Sequence, residues 1–150
     1  MPYLIDGHNL IGRFPGIELS DPEDERKMLE VLAVYARHSR RKAVIFFDRG
    51  MPGARPHLRA GRMITAHFVP SPRKADDAIL DYLRECRDAR RYTVVSSDSE
   101  VRDRARRAGA KVVSSEEFAR EVLALIRTRE KEKPSEAPKD IEEWLRLFGG

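Results

Sequence analysis

Short apolar runs alternate along this chain with longer stretches in which apolar residues recur every three or four positions. The runs read as strands: "YLID" at 3–6, "KAVIFF" at 42–47, "MITAHFV" at 63–69, "YTVVSS" at 92–97 and "AKVVS" at 110–114. The longer stretches read as amphipathic helices. Asp21 and Pro22 open one in which Met28, Leu32 and Ala36 share a face, and Ala75, Ile79 and Leu83 repeat along another over 74–88. Gly109 stops the helix "SEVRDRARRAG". Ser114 and Glu117 form a capping box ahead of a helix holding Phe118, Val122, Leu125 and Ile126. The residues just after Asp6 read as a loop.

Strands alternating with helices of this length imply right-handed βαβ units, hence a three-layer α/β/α sandwich with a mainly parallel, Rossmann-like sheet. In such a sheet the C-terminal ends of the strands lie along one edge, where ligands bind. Three of the runs end on a carboxylate: Asp6, Asp48 and Asp98. Parallel polarity brings the three together. The sandwich spans residues 1–127. Residues 128–139, "TREKEKPSEAPK", read as a charged linker, and 140–150 as a short amphipathic segment with Ile141, Trp144, Leu145 and Phe148 on one stripe.

Composition narrows the class. At 150 residues about 70% of the unfolded surface can be buried, enough for one self-sufficient domain. A single cysteine, Cys86, makes neither an internal disulfide nor a thiolate zinc site, which favours a reducing compartment. No apolar run approaches the roughly 18 residues of a membrane span, and no signal pattern opens the chain, so the expectation is a cytoplasmic protein without a membrane partner. The net charge of +4 leans towards an anionic partner.

A fourth acid comes from "KADD". Helical spacing puts Asp76 on the face of Leu80 and Leu83, towards the strand ends, and Asp77 on the polar side with Asp81. Several carboxylates in one crevice must be protonated, screened or bridged by a cation. With oxygen ligands alone on offer, the expected cofactor is Mg²⁺ or Mn²⁺, which supports attack of water on a phosphodiester. Asn9 stands where it can orient a water or a phosphate, and His8 where it can contact one. Asp48 is the weakest of the acids, since Arg49 follows it directly. The stretch 49–62 supplies Arg49, Arg55, His57, Arg59 and Arg62, and Arg73 and Lys74 precede Asp76. Such cations around an acidic centre suit a polyanionic backbone. Arg104, Arg106 and Arg107 end a helix and belong to the far edge.

Together "YLIDGHNLIG", "VIFFD", "RKADDAILDYL" and "VVSSDSEVRDRARRAGAKVVSSEEF" resemble the YacP-like NYN domain family, a branch of the PIN-like nucleases, over about residues 2–127. The resemblance implies a PIN-like fold and metal-dependent endoribonuclease activity on RNA, in some relatives on messenger RNA in association with the ribosome. Carried over, it assigns catalytic metal binding to Asp6, Asp76 and Asp98, with Asn9, Asp48, Asp77 and Asp103 in second rank. The chain departs from many relatives in having His8 in place of Tyr. It also lacks a late Glu-Gln pair, whose role would pass to Glu100 or Asp103. The alternative reading is a non-catalytic RNA-binding module of the same fold. A phosphatase of the haloacid dehalogenase kind is disfavoured, because the position two after its strand-end Asp is His8 and not a second Asp. The stripe of Trp144, Leu145 and Phe148 needs a surface to bury on: its own domain, a second subunit of a homo-oligomer, or a partner such as the ribosome.

Overall fold

A computed structural model describes residues 2–50 and 57–132. Arg55 and the 140–150 segment lie outside these residues, as do the side chains of Arg49 and His57. Six strands form the sheet: β1 (Tyr3–Asp6), β2 (Ala43–Gly50), β3 (His57–Ala60), β4 (Ile64–Pro70), β5 (Thr93–Val95) and β6 (Lys111–Val113). Their spatial order is β3-β4-β2-β1-β5-β6, and every neighbouring pair is parallel except β3 with β4. The helices are α1 (Gly7–Arg13), α2 (Asp24–Ser39), α3 (Ala75–Glu85), α4 (Ser99–Arg107) and α5 (Ser115–Glu132).

Successive strand residues point to opposite faces, and both faces are covered. Tyr3, Ile5, Ala43, Ile45 and Phe47 enter one core, completed by Met28 and Leu32 of α2 and by Phe118, Val122 and Ile126 of α5. Leu4, Phe46 and Val94 enter the other, against Ile79 and Leu83 of α3 and Val101 of α4. The expected three-layer α/β/α sandwich is thus the observed one.

Three local expectations need correction. The residues after Asp6 are helical at once: α1 forms although Gly7 and Gly12 disfavour it, because Leu10 and Ile11 are fully buried beneath it. Helix α5 runs to Glu132, so residues 128–132 continue a helix and do not begin the linker. The stretch after Asp48 contains a strand, β3, that pairs antiparallel with β4 and ends at Ala60 opposite Ile64. Because Ile64 is the first residue of β4, the chain has returned to the edge where the parallel strands begin. Arg59 and Arg62 therefore lie towards that opposite edge, away from Asp48.

The immediate entry into α1 imposes a steric condition on Gly7. A β-carbon there would stand 2.5 Å from Cδ1 of Phe47 and 2.8 Å from the carbonyl oxygen of Phe46. Backbone cannot give way as a side chain can, so Gly7→Ala is expected to lower stability by about 1–3 kcal/mol. Urea unfolding of the variant checks this. An unchanged midpoint would show that α1 can shift away from β2 without loss.

Candidate metal and active site

Asp6 closes β1 and Asp48 lies near the end of β2, next to it in the sheet. Asp98 follows β5, and Asp76 sits in the first turn of α3. Three of these carboxylates act on the fourth, Asp6. Burial pushes the Asp6 carboxyl up to about 6, a hydrogen bond from Ser96 opposes the rise, and the negative charges of Asp48, Asp76 and Asp98 add to it. Asp6 is thus the hub of the cluster that parallel polarity predicts.

Each acid is held by a local device. Asp48 Oδ1 accepts the N–H of Ala75, the first residue of α3, so a strand residue caps a helix that begins 27 positions later. Asp98 is the N-cap of α4, its Oδ1 accepting the N–H groups of Glu100 and Val101. Asp76 Oδ1 accepts the N–H of Asp77. The fully buried Ser96 joins two of the acids: its hydroxyl donates to Asp6 Oδ2 at 3.2 Å and accepts the N–H of Asp98 at 3.1 Å. Ser96 was not singled out from sequence, where the "SSD" run offered its only signal.

Other sequence-predicted residues have different tasks. Asn9 Oδ1 accepts the N–H of Ser97 at 2.9 Å and the hydroxyl of Ser115 at 2.7 Å. Its oxygen therefore ties α1 to the end of β5 and the start of α5, and is not left to orient a water. Asp77 Oδ2 accepts the N–H of Lys74, which makes it a cap of α3. Asp103 is exposed and pairs with Arg106 on the outer side of α4, apart from the cluster. Glu100 is exposed in the first turn of that helix. Arg73 stands beside α3 with its guanidinium on Asp81.

His8 lies at the rim. Its Nε2 is 2.9 Å from Glu25 Oε2, and its Nδ1 accepts the N–H of Asp48 at 3.4 Å, so the neutral ring donates to Glu25. The hydrogen bond to Glu25 raises the His8 pKa, against burial. Glu25, like Ser96, was not foreseen. Its link to His8 pins the start of α2 to the acidic edge.

The donor set is all hard oxygen, which fits Mg²⁺ or Mn²⁺ and excludes a thiolate metal site. Among the described residues, no three His, Cys, Asp or Glu side chains stand close enough to ligate one ion directly. Mg²⁺ is commonly bound through one or two carboxylates, with water filling the remaining positions. Asp6, Asp48, Asp76 and Asp98 fit an ion held in that way.

The raised Asp6 pKa has a consequence for stability. Between 3.8 and about 6 the folded chain keeps a proton on Asp6 that the unfolded chain has lost, so stability falls as pH rises through that window. In divalent-free buffer the melting temperature is expected to drop over this range, and Asp6→Asn to remove most of the drop. A variant with the wild-type pH profile would assign the drop to other groups.

The family model of the YacP-like NYN domain matches residues 3–146. A comparison with curated proteins finds no match. Among solved structures, the chain is similar to a mutant form of Rae1 (YacP) from Bacillus subtilis, with 23% identity and a TM-score of 0.71 over 98% of this chain and 91% of that one. It is likewise similar to a second crystal structure of Rae1, at 21% identity and a TM-score of 0.65 over the same shares. These neighbours carry the PIN-like fold, and the fold seen here is the same. With the family model matched over residues 3–146, the chain belongs to the YacP-like NYN domain family.

Proposed function

We propose that this protein is a metal-dependent endoribonuclease that hydrolyses RNA phosphodiester bonds at the acidic edge of its sheet. The observation that carries the reading is the setting of Asp6: burial raises its pKa to about 6, and the negative charges of Asp48, Asp76 and Asp98 beside it add to the rise. Four acids that destabilise one another in a cleft are a cost to the fold unless a cation answers them. Membership of the family gives the nuclease fold, and RNA is the substrate class that accompanies it.

Asp6 and Asp76 would hold the cation, with Asp98 and Asp48 offering the carboxylate oxygens left over from their capping bonds. When bound, Mg²⁺ or Mn²⁺ supplies positive charge that neutralises the phosphate and lowers the pKa of water. The chain's own residues do the positioning. Ser96 fixes the Asp6 carboxylate and the Asp98 backbone in one geometry, and Asn9 fixes the segment that follows. Glu25 and the Asp48 N–H engage both ring nitrogens of His8, which fixes the ring at the rim of the acidic edge.

The competing reading is an RNA-binding module that cuts nothing, favoured by the absence of three directly ligating side chains among the described residues. Asp76→Asn separates the two. Cleavage of RNA with Mn²⁺ is expected to fall about 100-fold or more, the scale on which a single catalytic group acts. RNA affinity in EDTA should stay the same or rise, since one repelling charge is gone. If the wild-type protein cuts no structured or single-stranded RNA with Mn²⁺, the binding module takes over.

A further inference from the structure

On the opposite edge of the sheet, between the end of α3 and the start of β5, Tyr82, Cys86, Arg87, Asp88, Arg91 and Tyr92 line a cavity of about 510 Å³. Its floor is aromatic and stiff. The buried Phe46 ring meets Tyr82 edge-on at 6.2 Å, and Tyr82 meets Tyr92 edge-on at 5.5 Å, so a ladder of rings leads from the core to the surface. The two tyrosines are only partly buried.

The rim is cationic. Arg87 and Arg91 are exposed and form no ion pair or side-chain hydrogen bond among the described residues. Asp88 is engaged mainly by Arg90: its carboxylate accepts from the Arg90 guanidinium and N–H, which lowers its pKa, and the nearby Arg91 charge adds a smaller lowering. Glu85 is the one further acid in the lining. Gly109, just beyond the last turn of α4, comes close to the 89–90 segment: a β-carbon there would stand 3.7 Å from Cγ of Arg90 and 3.8 Å from Cβ of Ala89.

We propose that this pocket is an RNA-binding exosite, in which an unpaired base stacks on Tyr92 while Arg87 and Arg91 hold the phosphates on either side. The volume falls in the range of small-ligand clefts and admits a base with its ribose. A fixed ring beside unpaired guanidinium groups is the combination that binds single strands without reading sequence. Beside the carboxylates at the other edge stands the His8 ring, whose nitrogens are already engaged by Glu25 and the Asp48 N–H, and a base there would meet negative charge. From the proposed function the inference takes only that RNA is the polymer bound. It assigns the grip to a surface distinct from the cutting edge.

Cys86, the sole cysteine, lies in the pocket wall and reports on it directly. The test is made on the full chain in EDTA, so that cleavage plays no part, with a short fluorescent oligouridine as probe. Oligouridine is expected to slow maleimide labelling of Cys86. Tyr92→Leu is expected to weaken binding by about tenfold, the size of one lost base stack. Arg87→Ala with Arg91→Ala is expected to reduce the slope of log affinity against log salt by about 1.4, two single-strand phosphate contacts. Affinity unchanged in both variants overturns the proposal, as does equal protection of Cys86 by polyglutamate, which would show a site for anions without bases. A protein that cuts no RNA but whose Cys86 is protected loses the nuclease reading and keeps this one. A protein that cuts RNA with Cys86 unprotected and affinities unaltered does the reverse.

Discussion

The burial of Asp6 beside three further carboxylates at one edge of the sheet is the constraint on which the rest of this structure turns. Asp6 cannot be moved out of it, because β1 is central in the sheet and its C-terminal end has β2 on one side and β5 on the other. The fold answers with fixed dipoles. Ser96 donates to Asp6, the first N–H of α3 binds Asp48, and the first N–H groups of α4 bind Asp98. Each of these devices engages one oxygen of one acid and leaves its second oxygen outside the bond. What remains is a buried Asp6 whose carboxyl is pushed up to about 6 by its loss of water, with the charges of Asp48, Asp76 and Asp98 adding to the rise.

The part of this arrangement legible in the sequence is the part set by polarity. That β1 ends on Asp6 and β5 leads to Asp98 is visible in apolar runs of strand length, and a parallel sheet leaves one place for their ends. Asp76 and Asp77 are told apart by helical spacing alone, and the capping role of Asp77 agrees with its polar side. Ser114 also caps as its spacing requires, accepting the N–H of Glu117.

The illegible part consists of long-range contacts and of elements formed against local preference. Nothing near Asn9 announces Ser115, which is 106 residues away, and nothing near Asp48 announces that it caps α3. Helix α1 contains two glycines and is formed by what it buries, which periodicity over seven residues cannot reveal. Strand β3 is a four-residue edge strand in a stretch of glycines and prolines, held by pairing with β4. Missing it misplaces Arg59 and Arg62, since an antiparallel strand returns the chain to the wrong edge for a cleft at Asp48.

The same polarity that gathers the acids also sorts the bases. In βαβ units helices run opposite to strands, so α2, α3, α4 and α5 all begin at the acidic edge and end at the other. Their first turns carry Glu25, Asp76, Glu100 and Glu116, and the last turns of α2, α3 and α4 carry Arg37, Arg84 and Arg107. Each charge sits where its helix dipole stabilises it, so local helix stability and the global charge division have one cause. A polyanion approaching the metal-free protein is therefore drawn first to the far edge and repelled by the cleft. A divalent cation held among Asp6, Asp48, Asp76 and Asp98 would offset much of that negative charge and lower the repulsion that a phosphate meets at the cleft. The division of first-turn acids and last-turn arginines between the two edges follows from a single sheet polarity.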